Sequence, residues 1–277
     1  MPFKKINGTR IHYTETGSGP ETIVFSHGLL MSGEMFADQV AAFNGRFRCI
    51  TFDHRGQGQS EVTDVGYDME TLTQDAVSLI RELDCAPCHF AGLSMGGFVG
   101  MRLAIRHPEL LKSLILLETA AGPEPEETKG PYRRLAFVGR WLGFRLVVRP
   151  VMKIMFGKTF LEDPARSAIR DHWKKQIMSV DRIGASKAAH GMIDRVGVCD
   201  QLDRIDMPAL ILVGDEDVAT PLPKAERMHE AIKDSKLVMI PRAGHSSTIE
   251  EPAVVNQALE AFLDPASDFI GKNEVTP

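Results

Sequence analysis

The sequence predicts an α/β architecture: a mostly parallel, doubly wound sheet that opens on an antiparallel hairpin and is interrupted by a helical insertion. Three observations carry this reading. Short, nearly continuous apolar runs alternate with longer helix-period segments, Asn7-Gly8 separates two strand-like runs near the start, and the alternation stops between about Gly122 and Val196. A strand covered on both faces by helices is apolar at consecutive positions, so an alternation of this kind reads as successive parallel βα units.

Taken in order, Phe3 to Ile6 and Arg10 to Thr14 flank Asn7-Gly8, the dipeptide best suited to the positive φ angles of a type I′ turn. The strands that follow are expected at Thr22 to Ser26, Arg48 to Phe52, His89 to Ala91, Ser113 to Leu117, Ala209 to Val213 and Leu237 to Ile240. Helices are expected at about Asp68 to Leu83, Met95 to Arg106, Pro221 to Ile232 and Pro252 to Phe262. This divides the chain into a core domain, 1–121 with 197–264, a helical cap, 122–196, opened by Gly122-Pro123-Glu124-Pro125, and a flexible tail, 265–277, with little to bury.

With 43% hydrophobic and 25% charged residues the 277-residue chain excludes disordered and fibrous classes, and a net charge of −5 gives no overall case for a nucleic-acid partner. The charge is uneven: Lys129 to Lys187 holds fourteen Lys or Arg against four Asp or Glu. Four cysteines in no framework pattern suit a reducing compartment. Without an apolar segment after Met1 or an 18-residue apolar run, a cytoplasmic protein with no integral membrane association is expected. Cys85-Ala86-Pro87-Cys88 has no second pair to complete a zinc site and reads as two unpaired thiols, and Gly56-Gln57-Gly58 lacks the lysine of a phosphate loop and reads as a turn beside the pocket.

The strongest chemical signal is His89-Phe90-Ala91-Gly92-Leu93-Ser94-Met95-Gly96-Gly97, a strand entering Gly-x-Ser-x-Gly and then a helix. A serine at such a turn is strained, with its hydroxyl exposed, and the glycines let neighbouring backbone pass without a Cβ clash. Ser94 is the candidate nucleophile. A serine hydroxyl needs a base and the base an orienting carboxylate, in the chain order Ser, acid, His for this architecture. Of nine histidines, His245 follows a late strand at a glycine-marked loop, whereas His172, His190 and His229 sit in helical patterns. The acid is expected after the strand ending at Val213, where spacing from Gly214 favours Asp217 over Asp215. Oxyanion donors are expected from the backbone N–H of Met95, at a helix start, and of Leu29, in the loop Ser26-His27-Gly28-Leu29-Leu30.

These segments, together with Phe52-Asp53-His54-Arg55-Gly56-Gln57-Gly58-Gln59-Ser60, Gly214-Asp215-Glu216-Asp217 and Gly244-His245, stand in the order of the α/β-hydrolase superfamily, which the chain resembles everywhere but in the cap. Gly92-Leu93-Ser94-Met95-Gly96-Gly97, Asp217-Val218-Ala219-Thr220-Pro221 and the run from His245 to Pro252 are most similar to the 3-oxoadipate enol-lactonase and carboxylesterase branch. The His27-Gly28 loop and a long basic cap depart from the enol-lactonases. The resemblance implies the α/β-hydrolase fold and a serine hydrolase cleaving carboxylic esters through an acyl-enzyme, with a small-molecule ester or lactone as its partner. It implies neither metal nor organic cofactor. An enol-lactonase-type lactone hydrolase and a non-catalytic ligand receptor of the same fold are the alternatives. His27 and Gly28 of the loop and Trp141, Phe144, Met152 and Met155 of the cap are the expected substrate-binding residues. The cap's basic groups are read as facing solvent, with steering of anionic substrates, contact with lipid headgroups and a homo-oligomer through the cap left open.

Overall fold

The computed structural model describes residues 2–264. Its single sheet has eight strands among the described residues, β1 (Phe3–Ile6), β2 (Thr9–Thr16), β3 (Glu21–Ser26), β4 (Phe47–Phe52), β5 (Cys88–Leu93), β6 (Leu111–Leu117), β7 (Ala209–Gly214) and β8 (Ser235–Ile240), in the order β1-β2-β4-β3-β5-β6-β7-β8. β2 runs antiparallel to both β1 and β4, and every later pairing is parallel. The hairpin closes with Ile6 opposite Thr9, and its two loop residues take the positive φ angles expected of them, 45° at Asn7 and 78° at Gly8. From β3 the chain steps to β4 on one side and then returns to β5 on the other, so the winding reverses between β3 and β5. The crevice outside the carboxyl ends of strands at such a switch is where open α/β sheets bind ligands.

The helices are α1 (Ala37–Phe43), α2 (Met69–Glu82), α3 (Met95–Arg106), α4 (Glu126–Leu142), α5 (Val148–Met155), α6 (Lys158–Glu162), α7 (Ser167–Ser179), α8 (Arg182–Ile193), α9 (Leu222–Ala231), α10 (Ser247–Glu250) and α11 (Pro252–Leu263). Consecutive strand residues feed opposite cores. Val24, Phe90, Leu114, Leu116 and Ile211 pack with residues of α2, α3 and α9, while Ile23, Phe25, Ala91, Ile115 and Leu212 pack with Phe43 of α1 and Val255 and Leu259 of α11. Burial on both sides is why the strands read as unbroken apolar runs.

The apolar runs locate the strands but stop short of their ends. β5 gains Cys88 and β6 gains Leu111 and Lys112 before the expected starts: Cys88 pairs with Leu111 across a register shift that leaves exposed Lys112 without a strand partner and interrupts the apolar run. α1 has no counterpart in the sequence reading: its seven residues bury Gln39 and Phe43, too short a stripe to carry a helical period. The expected tail, 265–277, lies outside the described residues.

The five helices α4–α8 fill the interval between β6 and β7 and sit close against the core loops. A Cβ on Gly184 of α8 would come within 1.9 Å of the Gly56 carbonyl oxygen, and one on Gly157, at the start of α6, within 2.8 Å of the Gly244 N. Both contacts are backbone against backbone, which only glycine allows. Among the described residues no helix is long and apolar enough to cross a membrane.

Candidate active site

Ser94 stands between β5 and α3 at φ 52° and ψ −109°, a conformation that costs a non-glycine residue on the order of 1–3 kcal/mol and persists only where its surroundings enforce it. Those surroundings are visible. The Ser94 N–H donates to the Leu117 carbonyl at 2.9 Å, the Thr119 hydroxyl to the Ser94 carbonyl at 2.8 Å, and the N–H groups of Gly97 and Phe98 to the same carbonyl. A Cβ at Gly96 would lie 2.0 Å from the Ser26 carbonyl oxygen and one at Gly92 2.3 Å from that of Gly96. Gly96 is therefore demanded by the packing of β3 against the elbow, and Gly92 by the tight turn of the elbow onto α3.

His245, in the loop after β8, brings Nε2 to 2.8 Å from the Ser94 Oγ. Its Nδ1 faces Asp217, 2.9 Å from Oδ2 and 3.1 Å from Oδ1. Asp217 in turn accepts from the N–H groups of Ala219 (2.8 Å) and Thr220 (3.0 Å) and from the Thr220 hydroxyl (2.6 Å). Burial would raise this carboxyl, but the charge and hydrogen bond of His245 and the bonds of Thr220 outweigh it and hold Asp217 below the ordinary carboxylate value. Nδ1 must carry its proton to bond an ionised Asp217, which leaves the Nε2 lone pair for the serine hydroxyl. Such a chain can take a proton from an attacking hydroxyl and return it to a leaving group. Asp215 is exposed and takes no part, and Glu216 binds the N–H and hydroxyl of Thr159 instead.

The loop after β3 lies across the elbow from the histidine. Leu30 N–H is spent on Gln57 Oε1 at 2.8 Å, whereas the Leu29 N–H, like that of Met95 at the first position of α3, has no hydrogen-bond acceptor among the described residues. A buried network fixes this loop. Gly33 N–H and Gln59 N–H donate to Asp53, whose Oδ2 also meets His12 Nδ1 at 2.9 Å. His54 N–H donates to His27 Nε2 at 2.9 Å, which obliges His27 Nδ1 to hold the proton it shares with its neighbour's carbonyl, Gly28 O, at 2.7 Å. Burial lowers the pKa of His27, and of His54 more strongly, so both stay neutral. With both ring nitrogens occupied, His27 orders the loop and has no atom left for a substrate.

The chain matches the family described as alpha/beta hydrolase fold over residues 21–252. It belongs to that family. Among solved structures, a thermophilic esterase from Thermogutta terrifontis is 30% identical and superposes with a TM-score of 0.86, covering 92% of this chain and 93% of the esterase. The enol-lactonase from Burkholderia xenovorans LB400 is 29% identical with a TM-score of 0.88, over 95% and 99% of the two chains. A Pseudomonas syringae relative named for carbamate hydrolysis, RutD, is 26% identical over 87% of this chain and 93% of its own. The shared activity is hydrolysis, and this α/β-hydrolase family member is a hydrolase.

Above Ser94 and His245 the hydrolase has a small cavity of about 110 Å³. Leu29, Phe144 and Met155 line it, Phe144 from the turn between α4 and α5 and Met155 from the end of α5. Other expected wall residues do not. Trp141 is 63% exposed on α4 and points to solvent, as do Phe137, Leu142 and Leu146. Met152 is buried in the packing of α5, and His27 and Gly28 lie beneath the loop, with Gly28 against Leu93 and Ser94. The sequence reading also passed over Thr220, Gln57 and Glu250, the last of which accepts the N–H groups of Gly157, Gly244 and Ser246 around His245. Only Thr220 had a local signal, a hydroxyl three residues after an aspartate at a turn.

Proposed function

We propose that this hydrolase cleaves carboxylic esters through an acyl-enzyme. The observation that carries the reading is the Ser94 Oγ to His245 Nε2 contact of 2.8 Å, on a histidine whose other nitrogen is fixed by Asp217 at 2.9 Å. Ser94 attacks the ester carbonyl while His245 takes its proton. The negative charge developing on the carbonyl oxygen is held by the N–H groups of Leu29 and Met95, whose freedom from other acceptors supports this role. The tetrahedral intermediate collapses, His245 returns the proton to the departing alcohol, and a water activated by the same imidazole releases the acid and restores Ser94. Asp217 keeps the imidazole in the required tautomer and stabilises its protonated form. Residues 122–196 act as a cap, whose α4, α5 and α8 supply most of the apolar wall around the acyl group.

The likeness to a solved enol-lactonase along nearly the whole chain favours one second reading, the opening of a lactone by the same attack. The test is the initial rate on p-nitrophenyl esters of two to twelve acyl carbons, with a lactone panel and a carbamate beside them and Ser94→Ala assayed in parallel. Ser94-dependent ester turnover that falls about 10⁶-fold in Ser94→Ala and roughly 10⁴-fold in Asp217→Asn is expected. Ester rates equal to the Ser94→Ala background refute the proposal: Ser94-dependent opening of a lactone moves the assignment to that substrate, and ligand retention without turnover moves it to a receptor.

A further inference from the structure

The cavity is not apolar throughout. Glu124, Tyr132 and Arg195 reach its wall among neighbours such as Leu135, Ala189 and Ile193. Arg195 Nη1 meets Glu124 Oε2 at 2.8 Å, with side chains only 2% and 8% exposed. Its Nε donates to the Gly122 carbonyl at 3.1 Å, Nη1 also donates to that of Met192 at 2.9 Å, and the guanidinium lies 4.1 Å from the centre of the Phe98 ring. The Thr128 hydroxyl donates to the other Glu124 oxygen at 2.5 Å. These bonds hold the start of the inserted segment against its end, and Nε and Nη1 are enough for that. Arg195 Nη2 and the Tyr132 hydroxyl have no hydrogen-bond partner among the described residues. Burial, helped by the charge of Glu124, pushes the Tyr132 phenol up to about 12, so it keeps its proton at any working pH.

Two unpaired donors on the wall of a mostly apolar cavity are left to water until a ligand oxygen accepts from them. We propose that Arg195 and Tyr132 form a second recognition point, hydrogen-bonding a neutral ketone or hydroxyl oxygen of the substrate's acyl chain. The oxygen is neutral because Glu124 already balances Arg195, and the neighbouring cations have acids of their own: Arg102 meets Glu70 at 3.0 Å, and Lys224 faces Glu124, Glu127 and Asp217. A carboxylate here would be an uncompensated third charge against apolar walls. Its position follows from α3. Phe98 lies four residues beyond Ser94, about 6 Å along the helix, so an oxygen beside the guanidinium over that ring is about four to six bonds from the scissile carbonyl, at 3.8 Å per three bonds. That spacing rests on the ester reading.

The experiment compares kcat/KM for p-nitrophenyl 5-oxohexanoate, p-nitrophenyl hexanoate and the p-nitrophenyl monoester of adipic acid, on the wild type, Tyr132→Phe and Arg195→Lys. The expected wild-type preference for the oxo ester over hexanoate is about tenfold or more, falling about three- to tenfold in Tyr132→Phe, which keeps the ring in place, and at least as far in Arg195→Lys. The adipate monoester is expected to show no such preference. An oxo-to-hexanoate ratio near one in the wild type, or one unchanged in Tyr132→Phe, overturns the proposal, and preference for the adipate monoester over the oxo ester reassigns the site to a carboxylate. Dissociation constants of ethyl 5-oxohexanoate and ethyl hexanoate on Ser94→Ala read the same contrast without turnover. A contrast there with no ester hydrolysis by the wild type leaves the recognition point standing and removes the ester reading. Ser94-dependent hydrolysis with no contrast does the reverse.

Discussion

Replacing Glu250 by Gln measures what holds the His245 loop. The carboxyl of Glu250 accepts three backbone N–H groups, from Gly157 at 2.7 Å, Gly244 at 3.0 Å and Ser246 at 3.0 Å, yet burial raises its pKa from 4.5 to about 7 against those bonds. At about 1.4 kcal/mol per pKa unit the shift is worth about 3 kcal/mol. Its sign is that of a raised pKa. Between 4.5 and 7 the folded protein holds a proton that the unfolded chain has released, so this contribution is full below pH 4.5 and is lost as pH rises through 7. Buried His27, His54 and His89, whose pKa values are lowered, push stability the other way in the same window, so the wild-type profile alone decides nothing. Urea unfolding of wild type and Glu250→Gln at pH 5 and pH 8 isolates the group. The stability difference, wild type minus variant, is expected to fall by about 2.5 kcal/mol from pH 5 to pH 8. A difference constant to about 0.5 kcal/mol over that range refutes the reasoning, since it would mean that Glu250 titrates alike in both states.

Gly184→Ala is expected to lift α8 from the Gly56 carbonyl and cost about 1–3 kcal/mol, seen as a lower thermal midpoint, with a change in KM because Ala185 and Ala189 of the same helix line the cavity. Gln57→Leu strips the buried Leu30 N–H of its acceptor and loosens the loop carrying Leu29; ester kcat is expected to fall about tenfold with KM little altered, and an unchanged kcat would detach Gln57 from the oxyanion role proposed for that loop. Arg145→Glu with Arg149→Glu, both exposed, is expected to slow anionic esters a few-fold at low salt while sparing neutral ones, and equal effects on both classes would remove any steering role.

What was legible in the sequence was local. Ser94 stands out in the sequence because strand, glycine and helix adjoin it, and Asp217 because it follows a strand by a fixed few residues, and the structure brings both to His245. The inserted helices defeated the same method. Phe137 and Trp141, one helical turn apart, share the solvent face of α4, while Phe144 and Met155 turn to the cavity, and apolar identity alone does not say which face is the inner one. Partners far apart in the chain left no trace either. Glu250 binds an amide 93 residues away, and Glu124 and Arg195 are separated by 71. Each reads as one more charged residue until the fold brings its partner to it.

Three buried carboxyls, Asp217, Glu118 and Glu250, feel one another's charge beneath His245, and they share it unequally. Asp217 is held below the ordinary value by its histidine and by Thr220, whereas burial carries Glu118 well above it and Glu250 to about 7. Separation of pKa values in neighbouring acids is how one site assigns them different tasks. Here the carboxyl that touches Nδ1 is the one held in its charged form, while burial disfavours the charged forms of Glu118 and Glu250. Each group of the proposed triad and oxyanion loop also has its own clamp: Thr220 on Asp217, Glu250 around His245, Gln57 and His27 on the loop of Leu29. All of these belong to the core; the inserted segment meets Glu250 through the Gly157 amide and the Arg166 guanidinium, and meets Glu216 through Thr159, none of them a residue of the cavity wall. The side chains of the cavity wall can therefore change without moving Ser94, His245 or Asp217.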